Sequence, residues 1–162
     1  MDDFEEFVAA RSPVLLRAAW LLTGDERLAE DLLQTALASC WRRWGRIRDG
    51  NAEAYARKVL LTTYLSWWRR RWRGEVPTGV VPETALEGHA TAVEERDAVR
   101  RALHQLSRQQ RAVVVLRYAL DQSVQETAAV LGCSEGTVRV QAHRALAALR
   151  ADPQLQIEEK AL

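Results

Sequence analysis

The chain has 162 residues, 48% of them apolar and 28% charged, with a formal charge of +1; that length and balance fit one or two small globular domains, each with a core of its own. There is no phosphate-cradling glycine loop and no Ser/His/Asp or Cys/His cluster, and Cys40, Cys133, His89, His104 and His143 stand in no metal-ligand spacing, so the chain does not read as an enzyme. No cofactor, metal or disulfide is expected, and the two cysteines read as buried thiols of a reducing compartment. The acidic start MDDFEEF is the reverse of a secretory leader and no apolar run reaches the ~20 residues that cross a bilayer, which points to the cytoplasm and to no membrane partner.

The near-neutral total hides an uneven distribution. Residues 1–40 carry a net −5, residues 41–73 a net +8, residues 74–93 a net −3 and residues 94–162 a net +1. Positive potential is therefore concentrated in one segment, and a partner of negative charge is expected there.

The first half reads as helices. Phe4, Phe7 and Val8 suggest a short one, and Ser12-Pro13, an N-cap followed by proline at the first helical position, opens a second through Leu15, Ala18, Ala19 and Leu22. Thr23-Gly24-Asp25 ends that helix and caps a third. The third places Leu33, Leu37, Cys40 or Trp41, and Trp44 on one face, with Gly45 near its end. A fourth begins after Asn51 and continues to about Arg73. Residues 74–93 contain Pro77, Pro82 and three glycines with no periodicity, and read as a linker. Beyond it, Thr91-x-x-Glu94 is a capping box restarting helix at Glu94, and Ser107-x-x-Gln110 caps another through Leu120.

The segment 124–149 carries the most specific pattern. Ser123-x-x-Glu126 caps its first helix and Ser134 its second. Counting from Val124, Ala128 is small where a second helix must cross, Gly132 tolerates the positive φ of a turn, and Val138 packs back between the helices, as a helix-turn-helix requires. In the second helix Val138, Ala142, Ala145, Leu146 and Leu149 form one apolar stripe. The opposite face is Gly136, Thr137, Val140, His143 and Arg144, with Arg139 at its edge, free to reach base edges in a major groove: arginine suits guanine, and the valine methyls suit a thymine methyl. The last helix fades at Asp152-Pro153, and residues 151–162 read as a tail.

All six tryptophans lie in the first half, three of them in the run Trp67-Trp68-Arg69-Arg70-Arg71-Trp72-Arg73. Guanidinium groups that track phosphates beside rings that stack on unpaired bases suit single-stranded nucleic acid. Tyr64, Trp68 and Trp72, at i, i+4 and i+8, are equally readable as a core stripe.

This layout resembles the extracytoplasmic-function sigma factors, the minimal two-domain bacterial transcription initiation factors, particularly those of actinobacterial type. The resemblance rests on Gly24-Asp25 with residues 29–37, on residues 66–71, on residues 111–118 and on Gly132-Cys133-Ser134-x-Gly136-Thr137-Val138-Arg139, four matches in order between Phe4 and Arg150. It implies an all-α fold of two small helical domains: a region 2-like domain at 1–73, the linker 74–93, a region 4-like helix-turn-helix domain at 94–150 and the tail 151–162. The implied partners are core RNA polymerase, promoter DNA and possible control by an anti-sigma factor. By the same resemblance, residues 29–44 bind the clamp helices of the β′ subunit, with Asp31, Gln34 and Trp41 in the contact. The 51–73 helix and its preceding loop read and open the upstream edge of the bubble at the minus-ten element, with Trp67, Arg69, Arg70, Arg71 and Arg73 as its contact residues. The second domain binds the β flap, and Ser134, Gly136, Thr137, Arg139, Val140, His143 and Arg144 read the minus-thirty-five element. Thr35, where members often carry an acid, and Val140, where a small polar residue is common, depart from the family pattern. The alternative is a stand-alone helix-turn-helix regulator whose first domain dimerises or binds a ligand; a helical adaptor with no DNA role would leave the Arg/Trp run unexplained.

Overall fold

The computed structural model describes residues 3–72 and 91–155, without the side chains of 70–72 and 91–93. The described residues are helical, without strands, and divide into two compact units, one built on α1 (Asp3–Thr23), α2 (Glu26–Arg42), α3 (Trp44–Ile47) and α4 (Ala52–Trp72), the other on α5 (Thr91–Gln105), α6 (Arg108–Val114), α7 (Val124–Leu131) and α8 (Glu135–Ala151).

In the first unit α2 packs against both α1 and α4. Its core consists of Leu15, Ala18, Ala19 and Leu22 from α1, Ala29, Leu32, Leu33, Ala36 and Cys40 from α2, and Ala56, Leu60, Leu61 and Tyr64 from α4. The many alanines let these helices approach closely. The turn between α1 and α2 is encoded locally. Gly24 has φ +70° and donates its N–H to the Trp20 carbonyl at 2.7 Å, the Thr23 hydroxyl donates to the Ala19 carbonyl at 2.8 Å, and Asp25 Oδ1 accepts from Leu28 N at 2.9 Å.

Two expectations for this unit are corrected. The chain does not break at Ser12-Pro13; α1 runs through Pro13, and the Ser12 hydroxyl is buried without a partner instead of capping. An interior proline costs a helix about 3 kcal/mol. Here both halves of α1 are anchored to the same neighbours. The C-terminal half sits in the core; the N-terminal half is held by Phe4 and Phe7 against Trp41 and Trp44, with ring centroids 5.0–5.3 Å apart, and by Arg48 to Asp3 at 2.7 Å and Arg11 to Glu53 at 3.2 Å. The second correction concerns Trp44. The α2 helix stops at Arg42, and Trp44 opens the separate turn α3, held by Phe4 and Phe7 and not by the stripe of α2. Cys40, not Trp41, takes the buried place on α2, and Leu37 is half-buried.

In the second unit α6 packs across α8. Helix α5 begins at Thr91, three residues before the expected restart at Glu94; the Thr91 side chain of the expected capping box lies outside the described residues. The Ser107 box is complete, with Ser107 Oγ accepting from Gln110 N at 3.1 Å and Gln110 Oε1 from Ser107 N at 3.3 Å. The expected helix to Leu120 loosens after α6 into a π turn over Val115–Ala119, closed by Leu120 N to the Val115 carbonyl at 3.0 Å. The turn that follows is tied at several points. Asp121 has φ +53°, Gln122 N reaches the Leu116 carbonyl at 2.8 Å, Gln122 Nε2 the Leu120 carbonyl at 2.8 Å, and Arg117 Nη1 the Gln122 carbonyl at 2.6 Å.

Candidate nucleic-acid interface

The helix-turn-helix forms as its residue types require. Ser123 Oγ accepts from Glu126 N at 3.0 Å and Glu126 Oε1 from Ser123 N at 3.1 Å, which starts α7. Gly132 ends it at φ +67°, and Cys133 N reaches back to the Ala128 carbonyl at 3.1 Å. No heavy atom lies within 4 Å of a Cβ built on Gly132, so the backbone angle and not lack of space requires glycine there. Ser134 then caps α8 through Thr137 N at 3.0 Å.

With its start fixed, α8 presents two opposite faces. Val138, Ala142, Ala145 and Leu149 are buried, and Leu146 is half-buried. Half a turn around, Gly136, Val140, His143 and Ala147 follow one another at i, i+4, i+7 and i+11, all exposed, and Arg139 and Arg144 stand exposed on either side of that line. Thr137 is half-buried, and its hydroxyl lies 2.9 Å from Ser134 Oγ, so it belongs partly to the cap. Among the described residues, no hydrogen bond or ion pair engages the side chains of Arg139, His143 or Arg144. A helix end with free guanidinium groups around an apolar centre can enter a groove and contact both phosphates and base edges.

The other expected site residues fall into two groups. On α2, Asp31 and Gln34 are exposed one turn apart and opposite the buried Leu32, Leu33 and Ala36; the Thr35 hydroxyl donates to the Asp31 carbonyl at 2.9 Å. Trp41 is 56% exposed although its ring rests on Phe4. Near the end of α4, Trp67 and Trp68 are half-buried and Arg69 is exposed, while Tyr64 belongs to the core. The side chains of Arg70, Arg71 and Trp72, and Arg73 altogether, lie outside the described residues.

The cysteines differ from one another. Cys40 is buried, and burial pushes its thiol up to about 11, so it is a protonated packing group and not a nucleophile. Cys133 is half-buried, not buried as expected, because it sits in the turn between α7 and α8. Among the described residues no group of His, Cys, Asp and Glu is placed to hold a metal ion, and no helix is long and apolar enough to cross a membrane.

Sequence reasoning missed the role of Arg111. It is only 3% exposed; its Nε donates to the Leu103 carbonyl at 2.8 Å, beside Leu106 N at 3.2 Å, and its Nη2 to the Leu106 carbonyl at 3.3 Å, so from the body of α6 it ties down the carbonyls of the turn that leaves α5. A buried arginine needs such partners, and its position in an otherwise apolar run, RAVVVL, was the available signal. On α5, hydrogen bonding from Arg100 is the main cause holding the Asp97 carboxyl below the usual range, with the charges of Arg100 and Arg101 adding to it.

Residues 7–74 match the model for sigma-70 region 2 and residues 96–149 that for sigma-70 region 4. The chain is 46% identical over 149 residues to the RNA polymerase sigma-E factor of Streptomyces coelicolor, covering 91% of this chain and 84% of that one. It is 34% identical over 143 residues to the ECF RNA polymerase sigma factor SigL of Mycobacterium tuberculosis, covering 85% and 81%. The fold matches the sigma factor RpoE from Bartonella quintana, solved in complex with the anti-sigma factor NepR, with a TM-score of 0.75 at 26% identity, over 97% of this chain and 100% of that one. This chain belongs to the sigma-70 family of transcription initiation factors, in its extracytoplasmic-function branch. It is an alternative sigma factor, a partner of core RNA polymerase and promoter DNA.

Proposed function

We propose that two surfaces read the promoter and two others hold the protein on core RNA polymerase. Helix α8 lies in the major groove of the minus-thirty-five element and reads it with Ser134, Gly136, Thr137, Arg139, Val140, His143 and Arg144. The end of α4, with Trp67, Arg69, Arg70, Arg71 and Arg73, captures the opened minus-ten element. Asp31, Gln34 and Trp41 on α2 meet the β′ clamp helices, and the second domain meets the β flap. The single observation that carries this reading is the exposed face of α8, where Arg139, His143 and Arg144 are unengaged among the described residues around Val140, directly behind a buried stripe that fixes the helix.

The charge distribution supports the division. A net +1 on residues 94–162 attracts phosphate weakly, so affinity for duplex comes from tethering both domains to polymerase. The boundaries 1–73, 74–93, 94–150 and 151–162 serve that purpose with the second unit's first helix starting at Thr91, since the seventeen residues from 74 to 90 can span roughly 56 Å when extended. The protein acts in the cytoplasm, without catalysis or a cofactor of its own, and an anti-sigma factor, as on the Bartonella relative, is the natural means of holding it inactive.

The test is the double variant Asp31→Ala/Gln34→Ala, assayed by gel filtration and titration with purified core RNA polymerase. Both side chains are exposed, so the melting temperature should stay unchanged while affinity for core falls about three- to tenfold. Loss of stability would make them structural, and unchanged affinity would remove the clamp assignment.

A further inference from the structure

The centre line of the exposed face of α8 runs through Gly136, Val140, His143 and Ala147. Gly136 has no side chain, Val140 is 47% exposed and Ala147 carries only a methyl, so His143 is the one polar group on the line, and the two arginines stand farther out on either side. Val140 stands between Arg139, His143 and Arg144 with the buried stripe of the helix on the opposite side, so its methyls are open to a partner and are not used by the core. Gly136 is likewise not demanded by the fold. A Cβ built there meets only Ser134 Oγ, at an ordinary 3.8 Å, and its φ is not in the left-handed region. Both residues make sense if something approaches this line closely from outside and is itself apolar at the point where it meets Val140.

Resting on the reading that α8 enters the major groove, we propose that Val140 is the specificity residue that recognises the 5-methyl group of a thymine in the upstream element, with Gly136 letting the helix backbone come close enough for that contact. The thymine methyl is the major groove's one apolar feature, and a cytosine in its place would bring an N4 amino group that valine cannot accept from. Valine is suited to the task because its β-branched side chain is held largely in one χ1 rotamer in a helix, so the contact orders little that is not already ordered. The charges are complementary: Arg139 on one side and Arg144 on the other can reach the negative phosphates or a neighbouring guanine while Val140 occupies the floor.

The experiment uses holoenzyme assembled from the full chain and purified core RNA polymerase. Promoters are selected from a library randomised upstream of the minus-ten element. Each thymine of the selected upstream element, on either strand, is then replaced singly by 2′-deoxyuridine, which removes only the methyl. One position should lose affinity about fourfold, the value of one buried methyl group. Val140→Ala, melting like the wild type, should bind the thymine and deoxyuridine templates at that position equally. Insensitivity to every replacement, or a methyl effect that survives in Val140→Ala, overturns the proposal while the major-groove reading stands. If no upstream preference is selected, or if Arg139→Ala and Arg144→Ala leave binding untouched, the major-groove reading itself fails and this proposal with it.

Discussion

Replacing Gly136 by alanine should move stability and promoter binding in opposite directions. The residue is the second helical position of α8, after the Ser134 cap and Glu135, and its backbone is one that any residue adopts. The added methyl would meet Ser134 Oγ at 3.8 Å, ordinary van der Waals contact, and displace nothing. Alanine also restricts the unfolded chain more than glycine does, which at a compatible helical site stabilises by about 0.5 kcal/mol or somewhat more. For a domain of this size that corresponds to a melting temperature higher by about 2–4 °C, measured by calorimetry on the full chain. The same methyl points outward along the line of Val140 and would hold the helix away from the groove, so holoenzyme affinity for a selected promoter should fall about tenfold, against no change on a template with a scrambled upstream element. A lower melting temperature would mean that Gly136 has a role inside the fold. Unchanged promoter affinity would mean that the backbone of α8 does not come close to DNA there.

Arg111→Met keeps the volume but removes the guanidinium donor to the Leu106 carbonyl and one of the two donors to the Leu103 carbonyl, which keeps Leu106 N at 3.2 Å, and should destabilise the second unit by roughly 1–3 kcal/mol, read by calorimetry. The Cys40 thiol, raised to about 11 in the folded chain, ionises near pH 9 once unfolded; protonated folded thiol against ionised unfolded thiol means that stability falls as pH rises from about 9 to about 11, and Cys40→Ala should lose less over that window in urea titrations. At pH 8 iodoacetamide should label Cys133 in the native protein well before Cys40, and equal rates would contradict the burial of Cys40.

What could be read from the sequence was whatever neighbouring residues decide among themselves. The caps at Ser107, Ser123 and Ser134 and the turn at Gly132 each depend on side chains within three or four positions of one another, and they form with the expected partners. The buried stripe and the exposed face of α8 follow from helical spacing once that start is fixed. Pro13 was misread because its local cost is outweighed by contacts from residues thirty to fifty positions away: Trp41, Trp44, Arg48 and Glu53. The π turn and the lock around Asp121 and Gln122 are closed by hydrogen bonds between near neighbours in sequence, but in spacings outside the i, i+3 and i, i+4 patterns by which caps are read, and Arg111 acts on carbonyls outside its own helix.

The two units have separate cores, and every tryptophan of the chain belongs to the first half. Intrinsic indole emission therefore follows only the first half of the chain, and among the described indoles Trp41, 56% exposed and resting on Phe4, is placed to change colour when a partner covers it. The helix-turn-helix half is spectroscopically quiet, with Tyr118 as its only fluorophore, 43% exposed on the π turn. An unfolding curve recorded at the tryptophan wavelength would be blind to the loss of the helix-turn-helix half, and a chain with an intact emission spectrum can be one in which that half no longer holds its fold.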